Sequence, residues 1–526
     1  MLEWSGLARV TEQMMAAFRV DASNRIGTGH VMRCLTLAEA LRRRGAQCLF
    51  IHRQHEGHLS TLIEQNGFEV LTLPKPECEA APDHAEDYAA WLGVPAEEDA
   101  RQSLQSLVDR RPYWLVVDHY ALDSHWESLM RAAVERILVI DDLANRSHDC
   151  DLLVDQNYFP DAIKRYRPLL GESTPVLAGP RYALLSQRYA QARAGMGELS
   201  GEVKRILVYY GGVDASNETA RALRVLGESA YHGLAVDVVV GPNNSHREEL
   251  EKLAVKHPAM TVYGPQNDLV DLMLAADLTL GAGGATTWER CALALPAIVT
   301  SVAANQEPYN RLLQADGVVH YLGDSAEVND DIIRNALDAM LQNPEYLSAM
   351  AARAWRLVDG WGTERVAHRM APDDAAALSL RPARFDDMSL VFAWANDPET
   401  RRHSFESEPI DWPDHQCWFQ QRLSGQGGQI WIGETAQGLP VGEVRVDIEN
   451  DQALLGFVVD SDFRGRGWCK AMLKSFARYW SELPDSPRLV AEVKAGNEVS
   501  AHLLRNLEGF RPVASSQGAW AFALEN

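Results

Sequence analysis

From Ala17 to about Leu185, short apolar runs alternate with amphipathic stretches, the rhythm of β-α units that close a parallel sheet. Cys48–Ile51, Trp114–Val117 and Ile137–Ile140 are such runs, and Val31–Arg44 is the clearest amphipathic stretch between them. A second series starts at Ile206–Tyr210 and continues through Val236–Val240, Leu278–Leu280 and Ala297–Val299. Two doubly wound halves are expected, over residues 14–198 and 199–370. The rhythm then breaks. Ala371-Pro372-Asp373-Asp374-Ala375-Ala376-Ala377 combines a proline, two acids and an alanine run, and a linker is expected over residues 371–378. Beyond it, helical material reaches Leu423, strands follow at Gln429–Glu434, Val441–Asp447 and Ala453–Val459, a helix starts at Trp468, and another strand covers Arg488–Val493. Residues 379–526 therefore read as a separate mixed α/β domain. A length of 526 residues suits this count of folding units.

The chain carries 73 acidic against 50 basic residues, a formal charge of -23. That argues against general binding to nucleic acid or anionic membrane, which rests on counterion release. Small anions remain accessible through local amide nests and helix amino ends. Seven scattered cysteines with no C-x-x-C pair favour a reducing, cytoplasmic setting without structural zinc. No apolar run approaches the ~20 residues of a membrane span. The segment before Met14 and Met15 reads as an extension ahead of the first convincing strand, and its pattern is not that of a signal peptide.

Strand Phe18–Asp21 leads through Ala22-Ser23-Asn24-Arg25-Ile26-Gly27-Thr28-Gly29-His30 into a helix. Glycines at such a junction let the backbone turn tightly and approach a ligand. His30 falls at the helix amino end, where the dipole disfavours imidazolium by roughly 0.3–1 kcal/mol and so favours the neutral form that a general base needs. A bound phosphate acts in the opposite sense, and a plain capping role is the alternative. Asp118, with His119 and Tyr120 after it, and the pair Asp141-Asp142 fall at carboxyl ends of expected strands, where parallel sheets collect ligand groups. Solvated turn residues would look the same.

In the second half, Ile206–Tyr210 runs into Gly211-Gly212-Val213-Asp214-Ala215-Ser216-Asn217, and Leu278–Leu280 runs into Gly281-Ala282-Gly283-Gly284-Ala285-Thr286-Thr287-Trp288-Glu289. Both turns can aim amides at a diphosphate. Thr286 and Glu289 also match a capping box. Glu289 is thus either structural or an acceptor for a ribose diol.

Together, Phe18–Ala38, Trp114–Trp126, Ile140–Asn157, Gly179–Leu185, Tyr209–Asn217 and Gly281–Arg311 resemble the UDP-sugar hydrolases of the pseudaminic acid pathway, relatives of the GT-B glycosyltransferases. The resemblance covers about Ala16 to Arg369. It implies two Rossmann-like lobes, GT-B-like, with the active site in the cleft between them. It also implies that His30 helps water displace UDP at the anomeric carbon. Asp21, Gly29, Arg33, Asp118, Tyr120, Asp142 and Arg181 become substrate contacts on the first lobe. Gly211, Gly212, Gly284, Thr286, Glu289, Asn305 and Gln306 become contacts to the sugar nucleotide on the second. No metal is expected, because amides and helix amino ends can stabilise the departing UDP.

In the carboxy-terminal domain, the run Ala453–Val459 continues into Asp460-Ser461-Asp462-Phe463-Arg464-Gly465-Arg466-Gly467 and a helix, a strand, basic glycine turn and helix amino end suited to a pyrophosphate. Together with Arg381-Pro382-Ala383, Trp394–Pro398, Arg401, Asn497 and Ser500, these residues resemble the GNAT acetyltransferases that act on nucleotide-linked amino sugars of the same pathway. The resemblance implies acetyl-CoA as cosubstrate. Amides of Arg464, Gly465, Arg466, Gly467 and Trp468 would cradle its pyrophosphate, Leu455, Phe457 and Val459 would pair with pantetheine, and Asn497 would touch the cofactor. Two positions depart from the family pattern. Asp462 stands where arginine or glutamine is usual, and Leu504 stands where many members have a tyrosine acid. Glu443 or a water is left to relay the amine proton. The reading implied is a bifunctional enzyme that N-acetylates a UDP-linked 4-amino sugar and then hydrolyses the diacetamido product, releasing UDP. A GT-B glycosyltransferase fused to an acetyltransferase, or a hydrolase with a regulatory CoA-binding tail, are the alternatives.

Overall fold

The computed structural model describes residues 14–76, 88–196, 201–255, 257–449, 452–514 and 518–525. The extension expected before Met14, and Cys78, lie outside the described residues. The chain divides into two compact units, Met1–Ala371 and Pro372–Asn526.

The first unit holds two parallel sheets. One is built from β1 (Met15–Val20), β2 (Gln47–Arg53), β3 (Glu69–Leu73), β4 (Trp114–Asp118), β5 (Arg136–Ile140), β6 (Leu152–Asp155) and β7 (Val176–Ala178), in the order β3-β2-β1-β4-β5-β6-β7. The other contains β8 (Arg205–Tyr209), β9 (Ala235–Val239), β10 (Met260–Tyr263), β11 (Leu278–Ala282), β12 (Ala297–Ser301) and β13 (His320–Asp324), in the order β10-β9-β8-β11-β12-β13. The unbroken apolar runs of the sequence follow from this arrangement: β4, β11 and β12 are buried at every position, as strands covered on both faces must be. The fold class is α/β, two Rossmann-like lobes followed by a mixed α/β domain.

Each sheet reverses its winding once, between β1 and β4 in the first and between β8 and β11 in the second. Open α/β sheets bind ligands outside the strand carboxyl ends at such reversals. The Gly27–His30 turn follows β1, Asp118 ends β4, and the two glycine turns follow β8 and β11. All four motifs therefore sit at the two reversals.

The helix Gly362–Met370 comes last in the second expected lobe, yet it completes the core of the first. Val366, Ala367 and Met370 pack among Val31, Leu35 and Val116. Trp114 Nε1 donates to the Met370 carbonyl at 3.1 Å, and Arg44 pairs with Glu364 at 2.5 Å. Beneath the first sheet, buried Asp99 accepts from Arg19 and Arg53 at 2.6 Å each and from the Trp126 indole at 3.1 Å. Removing one partner from such a buried network typically costs ~3–5 kcal/mol.

In the second unit the sheet order is β14-β15-β16-β17-β18-β20-β19, with β14 (Ser379–Pro382), β15 (Gly428–Glu434), β16 (Pro440–Glu449), β17 (Gln452–Val459), β18 (Arg488–Lys494), β19 (Phe510–Val513) and β20 (Ala519–Leu524). All neighbours are antiparallel except β17 and β18. That parallel pairing spans only Gln452–Leu454, so Leu455–Val459 part from β18 and open a wedge. The helix Trp468–Glu482 buries Met472, Leu473 and Phe476, and Phe476 meets Trp431 at 4.9 Å between rings.

Candidate active sites

At the reversal of the first sheet, His30 stands in the first turn of the helix Gly29–Arg43 with Nδ1 2.6 Å from Asp118 Oδ1. An ionised carboxylate can only accept, so Nδ1 carries the proton and the Nε2 lone pair is left for chemistry. Arg33, one helical turn on, holds the same carboxylate with a two-pronged grip, Nε to Oδ2 at 2.7 Å and Nη2 to Oδ1 at 2.6 Å. Burial by itself would raise the Asp118 carboxyl, but Arg33 and His30 outweigh it and hold it well below the usual carboxylate range. Asp142 accepts from the Tyr120 hydroxyl at 2.6 Å and lies 3.4 Å from Arg33. The Tyr120 ring meets the His30 ring edge-on at 4.8 Å.

Three expected substrate contacts are engaged within the protein. Asp118 is fully engaged by His30 and Arg33, so it orients the histidine and offers no free oxygen to a sugar. Asp21 is wholly buried beside Arg19 at 2.7 Å, with His119 and His55 at 3.5 and 3.6 Å, and is enclosed beneath the site. Burial pushes neighbouring His119 down to about 3, so it stays neutral there. Arg33 is likewise spent on carboxylates. Arg181 accepts from Arg365 through its carbonyl at 2.9 Å and lies over the Tyr182 ring.

The second lobe closes on this centre. Asn305 donates to the Tyr120 hydroxyl at 3.1 Å, and Asn243 donates to the Gly57 carbonyl at 3.2 Å. Gly212 comes so near the first lobe that a Cβ there would lie 2.5 Å from Thr28 Oγ1. The two glycine turns differ in one respect that decides between them as anion sites. The first is self-capped: Asp214 accepts from the amides of Glu218 and Thr219 at 2.8 and 3.1 Å. Its helix amino end is filled by the protein's own carboxylate. The second leads into the helix Thr286–Ala292, which has no side-chain cap. Thr286 is inside this helix and Ala285 occupies the cap position, so the expected capping box does not form. Beneath this turn, buried Arg290 donates to the Ala282 carbonyl and Thr287 hydroxyl at 2.8 and 2.9 Å. Gly284 leaves room for the Gln306 amide, whose Oε1 accepts from Val302 at 3.0 Å. Glu289 is half-buried, and desolvation pushes its carboxyl up to about 7 although the nearby Tyr189 hydroxyl partly offsets this. Gly29 and Gly211 have no heavy atoms near where a Cβ would stand.

The wedge between β17 and β18 in the second unit is a cleft of about 660 Å³. Leu455, Phe457, Val459, Arg464, Gly465, Gly467, Trp468 and Asn497 line it, whereas Arg466 does not. Gly465 and Gly467 adopt φ of +72° and +85°, left-handed values that only glycine takes readily, and turn the chain into the helix Trp468–Glu482. Some side chains serve structure. Arg464 grips Asp397 at 2.6 Å, Trp468 is buried against Phe463, and Asn497 caps the helix Glu498–Arg505 through the Ser500 amide at 3.1 Å. Their remaining offer to a cofactor is chiefly backbone. Glu443 is buried outside the lining, and burial raises its carboxyl; Leu504 is fully buried and brings no polar atom.

Residues 377–511 match the acetyltransferase (GNAT) domain family. The tail is a GNAT domain. The first unit has curated relatives at low identity. UDP-2,4-diacetamido-2,4,6-trideoxy-beta-L-altropyranose hydrolase of Campylobacter jejuni is 23% identical over 49% of this chain and 81% of its own. Spore coat polysaccharide biosynthesis protein SpsG of Bacillus subtilis is 23% identical over 66% of this chain and 94% of its own. Uncharacterized protein MJ1062 of Methanocaldococcus jannaschii is 22% identical over 86% of this chain and 87% of its own, a span longer than the first unit. The chain is thus an enzyme that joins a hydrolase homologue to a GNAT domain.

Several residues now in view carried no sequence motif. Tyr88, Trp91 and Arg290 reach the first site from a short helix and from beneath a turn, and Glu399, His403 and Arg445 line the GNAT cleft. Among the described residues no group of three His, Cys, Asp or Glu side chains could hold a metal ion, and no helix is long and apolar enough to cross a membrane.

Proposed function

We propose that the first unit hydrolyses a UDP-linked, N-acetylated deoxyhexose, releasing UDP, and that the GNAT domain acetylates the 4-amino precursor of that sugar with acetyl-CoA. The observation that carries the hydrolase reading is the His30–Asp118 pair, set at one sheet reversal and facing the glycine turns of the other. His30 Nε2 takes a proton from water as the water oxygen bonds to the anomeric carbon. The bond from that carbon to the diphosphate breaks, and UDP leaves on the second lobe. The uncapped amino end of Thr286–Ala292 and the positive charge of Arg290 favour the diphosphate there. Glu289, in its ionised form, accepts from the ribose diol.

For the GNAT domain, Gly465 and Gly467 shape the turn that would hold the CoA pyrophosphate, and acetyl-CoA would bring the activated acyl group. The acceptor end supports an anionic substrate. Arg401 and Arg445 both line the cleft, and desolvation together with the charge of Arg445 lowers Arg401 below the usual arginine range. Glu443 at 3.1 Å and Asp447 at 3.8 Å partly offset Arg445, so the preference for a ligand with a diphosphate over a polycation rests chiefly on Arg401. The scattered cysteines fit reactions run in the cytoplasm.

The test is mass spectrometry and UDP release with acetyl-CoA and UDP-4-amino-4,6-dideoxy sugars, without any sugar acceptor. Acetylation followed by UDP release is expected. Acetylation without UDP release until an acceptor is added would replace hydrolysis by glycosyl transfer.

A further inference from the structure

The cleft around His30 has one apolar side. Tyr88 and Trp91 belong to the short helical segment Ala89–Leu92 and its cap, and their rings meet at 4.9 Å. Tyr88 lies 5.0 Å and Trp91 5.5 Å from the ring of Tyr120, and Trp91 lies 6.4 Å edge-on from His30. Tyr120 is buried, but Tyr88 and Trp91 are only half-buried, so the wall keeps aromatic surface open next to the histidine. The groups that hold His30 from the other side, Asp118, Arg33 and Asp142, are charged.

The wall is held in place from below. Gly93 ends the segment at φ +73°, and a Cβ there would stand 3.2 Å from His55 Cε1 and 2.5 Å from Pro76 Cγ. Only a glycine lets the chain settle this closely on the enclosed His55–Asp21 pair. Asp99, three residues into the next helix, ties the following turn to Arg19 and Arg53.

We propose that Tyr88 and Trp91 form the sugar platform of this cleft, an aromatic wall that takes the apolar face of a deoxygenated, N-acetylated hexose and sets the preference for it over fully hydroxylated sugars. The proposal rests on the hydrolase reading. A methyl group buried on such a wall strengthens binding about fourfold, and a hydroxyl pressed against it without a partner is penalised. A 6-deoxy carbon and two acetamido methyls therefore offer three favourable contacts where an ordinary hexose presents hydroxyls. Indole supplies the larger share of that surface.

The experiment uses the full chain with wild-type Trp91, Trp91→Phe and Trp91→Ala. UDP-2,4-diacetamido-2,4,6-trideoxy-altropyranose, UDP-N-acetylglucosamine and UDP are the probes, read by UDP release and by saturation-transfer NMR of the sugar methyl protons. Trp91→Ala is expected to raise KM for the diacetamido sugar about tenfold and to erase most of its advantage over UDP-N-acetylglucosamine. Trp91→Phe should keep most of both, and UDP affinity should be unchanged in all three. Unchanged KM and unchanged discrimination in Trp91→Ala overturn the proposal, as does an equal loss of affinity for UDP itself. If the wild type releases no UDP, the hydrolase reading fails separately. Methyl signals that are strong in the wild type and lost in Trp91→Ala would then still support the platform, and equal signals in both would overturn it.

Discussion

Asp118 reaches His30 at 2.6 Å and Arg33 at 2.6 and 2.7 Å, so one buried carboxylate orients the histidine while being neutralised by the arginine. The arginine keeps the carboxylate ionised, and the carboxylate keeps the histidine proton on Nδ1. His30→Ala is expected to lower kcat for UDP release by about 10²–10⁴-fold with UDP affinity largely kept. Asp118→Asn is expected to lower kcat by about 10²-fold with a smaller change in KM, because an amide can donate to Nδ1 and favour the wrong tautomer. Steady-state UDP release and calorimetric UDP titration check both; wild-type kcat in His30→Ala would remove the histidine from the chemistry, and wild-type kcat in Asp118→Asn would remove the orienting role of the carboxylate.

Glu289 predicts a pH dependence of UDP binding. Its carboxyl is pushed up to about 7, so it is largely protonated below that pH and ionised above it. Affinity for UDP is expected to rise as pH increases through about 7, since only the ionised form accepts from both ribose hydroxyls. UDP's own phosphate ionises near pH ~6. Glu289→Gln should therefore be titrated in parallel: the component near 7 should vanish in the variant.

Stability should depend on Asp155, which burial and neighbouring Asp142 push up to about 8. The folded chain keeps this proton at pH values where an unfolded aspartate, near 3.9, has lost it. Stability is thus highest at the acid end of that window and falls as pH rises toward 8. His119, pushed down to about 3, works in the opposite sense, but only below its unfolded value of about 6.5. Between about pH 6.5 and 8 the Asp155 contribution stands alone of the two. Thermal melts should show Tm falling over this range in the wild type and a flatter profile in Asp155→Asn.

Gly467 adopts φ +85° at the cap of the helix Trp468–Glu482, with open space where a Cβ would stand. Gly467→Ala meets no clash, and its cost is backbone strain of ~1–2 kcal/mol. The expected readout is a raised KM for acetyl-CoA. Arg445→Ala should instead raise KM for the UDP-amino sugar and leave that for acetyl-CoA nearly unchanged, as the proposed acceptor-binding role of Arg401 and Arg445 requires. Initial rates with each substrate varied separately distinguish the two effects.

Strands with unbroken apolar runs were readable before any coordinates: Cys48–Ile51 lies within β2, Ala297–Val299 within β12, and Ala453–Val459 within β17. Short or partly covered strands at the sheet edges were not. β7 spans Val176–Ala178 alone, β13 is only partly buried along its length, and β19 exposes two of four residues. Their sequences lack the continuous burial signal because edge strands face a neighbour on one side only.

The same division holds at the site. Local sequence determined the turns, the helix that begins at Gly29 and the Gly465 and Gly467 turn, because each depends on backbone geometry within a few residues. Tertiary structure alone decided what each side chain is spent on. Asp118 became a partner of His30 across 88 positions, Asp214 filled its own helix end, and Trp91 came to face His30 from a helix with no motif. A carboxylate's type is written in the chain, but whether it meets a substrate or an arginine depends on which strand ends the sheet brings together.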